Sequence, residues 1–163
     1  MTASATTIVE SMAAAWTAGD MKRVLTLAAR VSGPEAESVA FLALLGVARQ
    51  QTGDYAGAAE IFERLTRIQP DVSAWWNNLG VARRHAGDFV ASERALLKAK
   101  SLASGDAEVY YNLGLLYIQQ QRWSLARDVL LDAVHLAPRF VEARLEAAHA
   151  CHVCGDIEGE EAM

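Results

Sequence analysis

Apolar residues along this chain recur every three to four positions in short segments that are separated by polar turn residues. Two neighbouring segments show the pattern clearly: Phe41, Leu42, Leu45 and Ala48 in the first, and Tyr55, Ala58, Ala59, Phe62 and Leu65 in the second. This spacing places the apolar side chains on one face of an α-helix, whereas a half-buried strand would alternate strictly. The pattern therefore predicts pairs of amphipathic helices and an all-α fold.

A Leu-Gly pair recurs inside the predicted helices at a fixed interval of 34 residues, with its glycines at Gly46, Gly80 and Gly114. Glycine inside a helix costs about 1 kcal/mol relative to alanine. Because this cost returns at one place of the repeat, it indicates a shared geometric need. We predict that a neighbouring helix approaches so closely at each glycine that a β-carbon would collide with it.

A Gly-Asp pair marks most of the predicted turns. The pairs begin at Gly19, Gly53, Gly87 and Gly155, and Gln121-Arg122 stands where a further pair is expected. Glycine just past a helix end adopts the left-handed conformation at little cost, and aspartate caps the next helix by accepting a hydrogen bond from its free N–H groups. Each pair is therefore predicted to end one helix and begin another.

These marks divide the chain into four units in one register, residues 5–38, 39–72, 73–106 and 107–140, with a partial fifth unit over 141–163. In the fifth unit we predict a first helix over 141–154 and a second helix that stops after a few residues. A helical array normally ends in a polar capping helix. We therefore expect either that the natural protein continues past Met163 or that the open end associates with another copy.

Composition and charge narrow the classes of function. The net charge of −5 argues against a non-specific hold on nucleic-acid phosphates, so nucleic acid is not an expected partner. The first basic residue is Lys22, and the longest apolar run, 39–48, is far shorter than a bilayer span. Two cysteines are too few for a disulfide framework, which fits a reducing compartment. We predict a cytoplasmic protein without a membrane segment.

The third and fourth units resemble the tetratricopeptide repeat in the segments WNNLGVARRHAGDFVASERALLKA and YYNLGLLYIQQQRWSLARDVLLDAVHLAP. The fourth unit supplies most of the family pattern: Tyr110, Leu113, Gly114, Tyr117, Trp123, Ala126, Leu130, Ala133 and Pro138. The first unit departs most, with Ser11-Met12 in place of Leu-Gly, and resembles a capping repeat. The resemblance implies a right-handed superhelical solenoid of antiparallel helical hairpins. It also implies a protein–protein interaction scaffold that binds a peptide or partner segment in its concave groove.

On this resemblance, the first helix of each unit lines the concave groove. Val47, Val81 and Leu115 share one place in successive units and are expected to form an apolar stripe along it. Interior packing of the same side chains is an equal alternative, because buried and groove-facing places adjoin on a narrow helix. The resemblance places polar and aromatic residues beside the stripe: Asn77, Asn78, Arg84, His85, Tyr111 and Asn112.

Asn78 and Asn112 stand directly before Leu-Gly, where the superhelix of the O-linked N-acetylglucosamine transferase is similar and holds a ligand's backbone with a ladder of asparagines. An amide side chain both donates and accepts, so it can pair with any peptide group. A capping or inter-helix role is at least an equal alternative, since the ladder has two rungs. The family's grip on a terminal carboxylate is not expected, because its cations are replaced by Val9, Ala43, Ala74 and Glu108.

The candidate metal or reactive cluster is the run His149, Cys151, His152 and Cys154. Thiolates and imidazoles are zinc ligands. On a continuous helix, however, the cysteines fall on one side and the histidines on another, so the four cannot converge on one ion. Cys151 stands where the repeat has a core tyrosine, and we predict that it packs there. With no phosphate loop or nucleophile elbow in the sequence, we expect no metal, no cofactor and no enzymatic activity.

An alternative function follows from bacterial proteins that resemble this chain and join such repeats to a C-terminal sulfotransferase or glycosyltransferase domain. The array would then be the substrate-recruiting arm of a larger transferase whose catalytic domain is absent from this chain. Both hypotheses use the same groove. The gene sequence beyond Met163 separates them.

Overall fold

The computed structural model describes residues 5–161, and the side chains of residues 6–155. Over that range it contains α-helices, one short 3₁₀ helix at Gly33–Glu37 and no strand. The α-helices are α1 (Ala5–Thr17), α2 (Met21–Ala28), α3 (Val39–Gln51), α4 (Tyr55–Ile68), α5 (Ser73–His85), α6 (Phe89–Leu102), α7 (Ala107–Gln119), α8 (Trp123–Leu136) and α9 (Val141–Glu161). The predicted all-α class is confirmed.

Successive helices pack as antiparallel hairpins, α1 with α2, α3 with α4, α5 with α6 and α7 with α8. The second helix of each hairpin also packs against the first helix of the next. First helices touch across units as well, at α1 with α3, α5 with α7 and α7 with α9. The result is a solenoid of helical hairpins, as predicted, in which the first helices form one wall.

The recurring glycines lie where the two helices of a hairpin cross. A β-carbon added to Gly114 would lie 2.5 Å from Leu130 Cγ, and one added to Gly80 would lie 2.5 Å from Leu96 Cγ. At Gly46 the corresponding distance is 3.0 Å, to the ring of Phe62. The predicted close approach is confirmed, because a methyl group at these places would overlap the side chain of the facing helix.

The Gly-Asp turns have the predicted geometry in the first three units. Gly19, Gly53 and Gly87 have φ angles of +75°, +86° and +83°, in the left-handed region. The following aspartates cap α2, α4 and α6; Asp54 Oδ1, for example, accepts from the Gly57 backbone N–H at 3.0 Å. These residues therefore fix where each hairpin turns.

The fourth turn keeps the same backbone with unfavourable residues. Gln121 has a φ of 57°, the one left-handed residue other than glycine in the described range. Arg122 occupies the N-cap of α8 and makes no side-chain capping hydrogen bond. The turn is therefore dictated by packing of α7 against α8 rather than by local preference.

The predicted turn at Gly155 and Asp156 is wrong. α9 continues through both residues as one helix, and Gly155 has no positive φ. As a result, no second helix covers the outer side of α9 in the described range. Cys151, predicted to be packed in the core, is exposed for that reason, whereas Cys154 is buried in a row with Ala143, Ala147 and Ala150.

Candidate binding groove

The predicted apolar stripe is half-buried along the wall of first helices. Val47 on α3, Val81 on α5 and Leu115 on α7 each keep part of their surface accessible. Val47 also packs against the core cluster of the N-terminal half. The stripe therefore combines the two alternatives, since its residues support the array and still leave apolar surface in reach of a ligand.

A concave apolar cavity of about 250 Å³ opens beside Val47. It is lined by Trp16, Ala43, Leu44, Val47 and Trp75. The indole of Trp16 is 42% exposed, which is unusual for so large an apolar group. The indole of Trp75 is held in place, because its Nε1–H donates to Gln69 Oε1 at 2.9 Å.

Trp75 and Leu44 were missing from the residues predicted to bind a ligand. Trp75 precedes the aromatic residue of the repeat pattern, Trp76, and was treated as part of the same structural position. The signal in the sequence was the doubled tryptophan itself, because the repeat needs one large aromatic residue there and the second has another use.

The asparagines are joined to each other rather than arranged as a ladder. Asn112 Nδ2 donates to Asn77 Oδ1 at 3.0 Å, and both side chains are buried between α5 and α7. For Asn112 the inter-helix alternative is therefore the one that the structure supports. Asn77, predicted as a polar element of the groove, is its buried partner, while Asn78 is half-buried.

Arg84 is buried near the end of α5, with only 9% of its surface exposed. Its Nη1 donates to Gln119 Oε1 at 3.2 Å, and its Nη2 lies 3.1 Å from His85 Nε2. The Nε–H has no hydrogen-bond partner. Burial lowers the pKa of the Arg84 guanidinium, an effect that the nearby Tyr111 and Tyr55 oppose.

His85 is exposed and stacks on Tyr55, with ring centroids 4.4 Å apart and planes inclined by 13°. Burial of part of the ring, and then the charge of Arg84, lower the pKa of His85. The imidazole is therefore neutral at pH 7, and its Nε2 can accept from Arg84.

Tyr111 forms the C-terminal part of the wall and is half-buried. Its ring contacts Phe140 with centroids 4.8 Å apart. Burial raises the pKa of Tyr111, as do the charges of Glu146 and Glu142 on α9, while Arg84 opposes them. The wall thus changes from apolar near Trp16 to polar and charged between α5 and α9.

Polar contacts between first helices join residues that are 35 positions apart, Asn77 with Asn112 and Arg84 with Gln119. Equivalent positions, 34 apart, point in the same direction in every unit. In a head-to-tail array one side of a unit must meet the opposite side of the next, so the contacts connect non-equivalent positions. Gln119 was missed because the sequence comparison aligned equivalent positions.

The His and Cys cluster of α9 does not form a metal site. Within the described residues, no three His, Cys, Asp or Glu side chains lie close enough together to hold an ion. His149 instead meets the edge of Trp123, with ring centroids 5.5 Å apart. As for membranes, none of the helices described here is at once long enough and apolar enough to span a bilayer.

Comparison with known proteins gives a consistent result. The family model described as tetratricopeptide repeat matches residues 43–107 and 92–139. The mouse protein named BBSome complex member BBS4 is 29% identical over 113 residues, which is 69% of this chain and 22% of that protein. Its Drosophila melanogaster homologue is 26% identical over 95 residues, 58% of this chain and 20% of that protein. The chain thus spans about a fifth of the length of these curated relatives.

Solved structures of MamA are similar in fold. A crystal structure of MamA has a TM-score of 0.81 at 22% identity and covers 93% of this chain and 82% of the MamA chain. MamA from Desulfovibrio magneticus RS-1 has a TM-score of 0.76 at 19% identity and covers 98% of this chain and 96% of its own. At this identity the likeness concerns the fold alone.

Proposed function

The chain belongs to the tetratricopeptide repeat family, and we propose that it is a protein–protein interaction scaffold that binds a peptide or partner segment along the wall of its first helices. The observation that carries this proposal is the apolar cavity of about 250 Å³ beside the exposed indole of Trp16. Apolar pockets with an aromatic side chain at the rim are typical anchors for a large apolar residue of a partner.

The rest of the wall extends this anchor into a path for an extended segment. Val81 and Leu115 continue the apolar surface from α5 to α7, and exposed His85 lies beside them. A segment lying across α3, α5 and α7 would bury this surface, and burial yields roughly 25 cal/mol per Å² of apolar area. We therefore assign the predicted groove residues to one continuous binding surface.

Protein is the partner class that this surface favours. The chain carries 15 Lys and Arg against 20 Asp and Glu, which gives no excess of cations for a phosphate backbone. The anchors are apolar and aromatic, as in interfaces with proteins. The proposal is binding without catalysis, because it assigns to the groove no nucleophile, acid or base.

The proposal is tested by photo-crosslinking capture from the native cell with four baits. The baits are the wild-type chain, Val81→Asp, Leu115→Asp and, as a matched control, Val90→Asp. Val90 is 70% exposed on α6, which is a second helix and lies outside the proposed surface. Circular dichroism of each bait verifies that the helices are retained.

We expect the wild-type and Val90→Asp baits to capture the same protein, and the two groove variants to lose it, since a carboxylate in an apolar contact costs several-fold in affinity. Loss with Val90→Asp and retention with Val81→Asp and Leu115→Asp would place binding on the outer face. Unfolding of both groove variants would assign those residues to the core instead.

A second candidate is the substrate-recruiting arm of a larger sulfotransferase or glycosyltransferase. It uses the same groove and predicts that the captured protein carries the transferred group in the native cell. The curated relatives are named as members of a complex, which favours a role in assembly over a role in substrate delivery. Mass spectrometry of the captured protein separates the two.

We also propose self-association through the C-terminal end of the array. Leu131 on α8 lines an apolar cavity of about 250 Å³ together with Val134 and Cys151, and Leu145 on α9 is 65% exposed. A second copy would cover this surface. Light scattering over a concentration series is expected to show dimers that Leu131→Asp dissociates; a strictly monomeric chain at high concentration contradicts the proposal.

The cytoplasm is the compartment that we propose. Both cysteines are free, and Cys151 is exposed, which suits a reducing environment. Fractionation of the native cell and immunoblotting of each fraction tests this location.

A further inference from the structure

Arg84 is the one charged side chain among the buried residues of the described range. Every half-buried arginine elsewhere in that range has a carboxylate partner within ion-pair distance. The pairs are Arg49 with Asp54, Arg64 with Glu37, Arg83 with Glu63 and Asp88, Arg122 with Glu93, and Arg127 with Asp128. The most deeply buried cation is therefore the exception to a rule that the rest of this chain follows.

The groups that contact the Arg84 guanidinium are neutral. They are the amide oxygen of Gln119 and the Nε2 of His85, and no carboxylate oxygen among the described side chains lies within 4.0 Å. A buried cation without a counter-charge is costly, because desolvation disfavours the charged form. The lowered pKa of Arg84 reflects this cost.

A second orphaned polar atom lies in the same row. Gln50 occupies on α3 the place that Arg84 occupies on α5, 34 residues later, and its Oε1 is buried without a hydrogen-bond partner. Together with Arg84 Nε, these are the buried side-chain polar atoms of the described range that lack a partner. One is an acceptor and the other a donor, and both lie on the wall proposed to bind a partner. Buried polar atoms are normally paired, so the pair of orphans indicates a place where a ligand supplies the missing groups.

The neutral partners of Arg84 can yield to a ligand. Gln119 and His85 are both exposed, so either side chain can rotate into water and leave its place beside the guanidinium. A carboxylate is the group that fits there, since it accepts two hydrogen bonds from a guanidinium side by side and neutralises its charge.

We propose that the segment bound along the first helices carries an aspartate or glutamate whose carboxylate pairs with Arg84. This inference rests on the proposed function and specifies its partner: a segment with an acidic residue at Arg84, a hydrogen-bond donor at Gln50 and a large apolar residue in the cavity beside Trp16. It differs from the grip on a terminal carboxylate, because the pairing group is a side chain within the segment.

The test uses phage-displayed random peptides panned against the full chain, followed by fluorescence anisotropy with the best peptide and a version in which its acid is replaced by the matching amide. Panning is repeated with Arg84→Gln and with Arg84→Met. Arg67→Gln is the matched control, because Arg67 lies on α4 with 71% of its side chain exposed and already pairs with Glu63. Circular dichroism confirms that each variant is folded.

We expect wild type and Arg67→Gln to enrich peptides with Asp or Glu at one shared position, and both Arg84 variants to enrich apolar peptides without it. The acid-to-amide change should weaken binding about tenfold for wild type and leave binding to Arg84→Met unchanged. Enriched peptides without a shared acid, or with an acid that persists in both Arg84 variants, overturn this inference and leave the proposed function intact. No enrichment by the wild-type chain counts against the proposed function itself.

Discussion

The Asn112 amide donates to the Asn77 side-chain oxygen across 3.0 Å, and the two residues are 35 positions apart in a chain whose repeat is 34. The extra residue arises because neighbouring first helices meet with different sides. Equivalent positions in a translated array face the same way and cannot bond to each other. This pairing is therefore part of what holds α5 against α7, and it removes both amides from the ligand surface.

The Asn77–Asn112 bond predicts strong coupling in stability. Asn112→Ala or Asn77→Ala should each lower the free energy of unfolding by about 1–3 kcal/mol, because the remaining amide is left buried without a partner. The double variant should cost clearly less than the sum, by about 1 kcal/mol. Urea denaturation of all four proteins measures the cycle. Asn78→Ala, at the half-buried neighbour, is the control and should change stability by less than about 0.5 kcal/mol; strict additivity of the two buried changes would disprove the coupling.

The helix-crossing glycines predict opposite effects of one substitution at two sites. Gly114→Ala should destabilise the fold by about 1–3 kcal/mol, since its methyl group would lie 2.5 Å from Leu130 Cγ. Gly155→Ala on α9 should be neutral or stabilising by up to about 1 kcal/mol, because no described atom lies within 4 Å of its β-carbon and alanine favours the helix. Thermal unfolding followed by circular dichroism compares the two. Equal effects at both sites would contradict the close crossing.

The left-handed Gln121 predicts a stabilising substitution. Gln121→Gly should raise the free energy of unfolding by about 1 kcal/mol, because a side chain at φ 57° collides with its own backbone and glycine does not. Gln120→Gly is the adjacent control. Its φ of −85° suits any residue, so glycine there should lower stability by about 0.5–1 kcal/mol. Chemical denaturation distinguishes the two signs.

The unpaired charge of Arg84 predicts a gain in stability for the free protein when it is removed. Arg84→Met keeps the length of the side chain and removes a buried cation without a counter-charge, so the free energy of unfolding should rise by about 1 kcal/mol or more. Gln119 and His85 lose little, since both can bond to water. The exposed Arg67→Met should stay within about 0.5 kcal/mol of wild type. A large loss of stability in Arg84→Met would show that the guanidinium is a structural group rather than an open binding group.

The contact between Tyr117 and Glu93 predicts a late titration. The Tyr117 hydroxyl donates to Glu93 Oε1 at 3.0 Å. Burial, the hydrogen bond to Glu93 and its charge raise the pKa of Tyr117 to about 12 from 10.0, although Arg122 opposes them. The folded state therefore holds its phenolic proton where the unfolded chain releases it.

Because that pKa is raised in the folded state, the stabilisation by Tyr117 is complete below pH 10 and is lost as the pH rises towards 12. Phenolate absorbance should show one tyrosine titrating last, and that component should disappear in Tyr117→Phe. Glu93→Gln should move its pKa down. A titration of all four tyrosines together near the ordinary pKa would refute the contact.

Much of the fold is written in local preferences. The φ of Gly53 and the capping by Asp54 depend on a few neighbouring residues, so the turn can be recognised without the rest of the chain. The close crossing at Gly80 can be inferred from a cost that recurs at a fixed interval. The turn at Gly155 was wrongly predicted because the same two residues form a turn only when a following helix packs back, and α9 has none in the described range.

The binding surface depends more on contacts between units. The register indicates that Val47, Val81 and Leu115 share one place, but their half-burial follows from how far each hairpin rotates against the next. Trp75 entered the apolar cavity, and Asn77 left the accessible surface, for the same reason. Neither side chain's surroundings are set by its sequence neighbours.

The sequence by itself determined the period, the hairpins, the crossing glycines and the family, because each of these is decided within one unit of 34 residues and repeated. Only the tertiary structure decided which side chains face each other across units. It paired Asn77 with Asn112, left Arg84 buried without an anion and placed Trp16 beside Trp75. The physical reason is that contacts between units join non-equivalent positions, whose meeting is set by the packing angle of whole helices and not by the repeated residues alone.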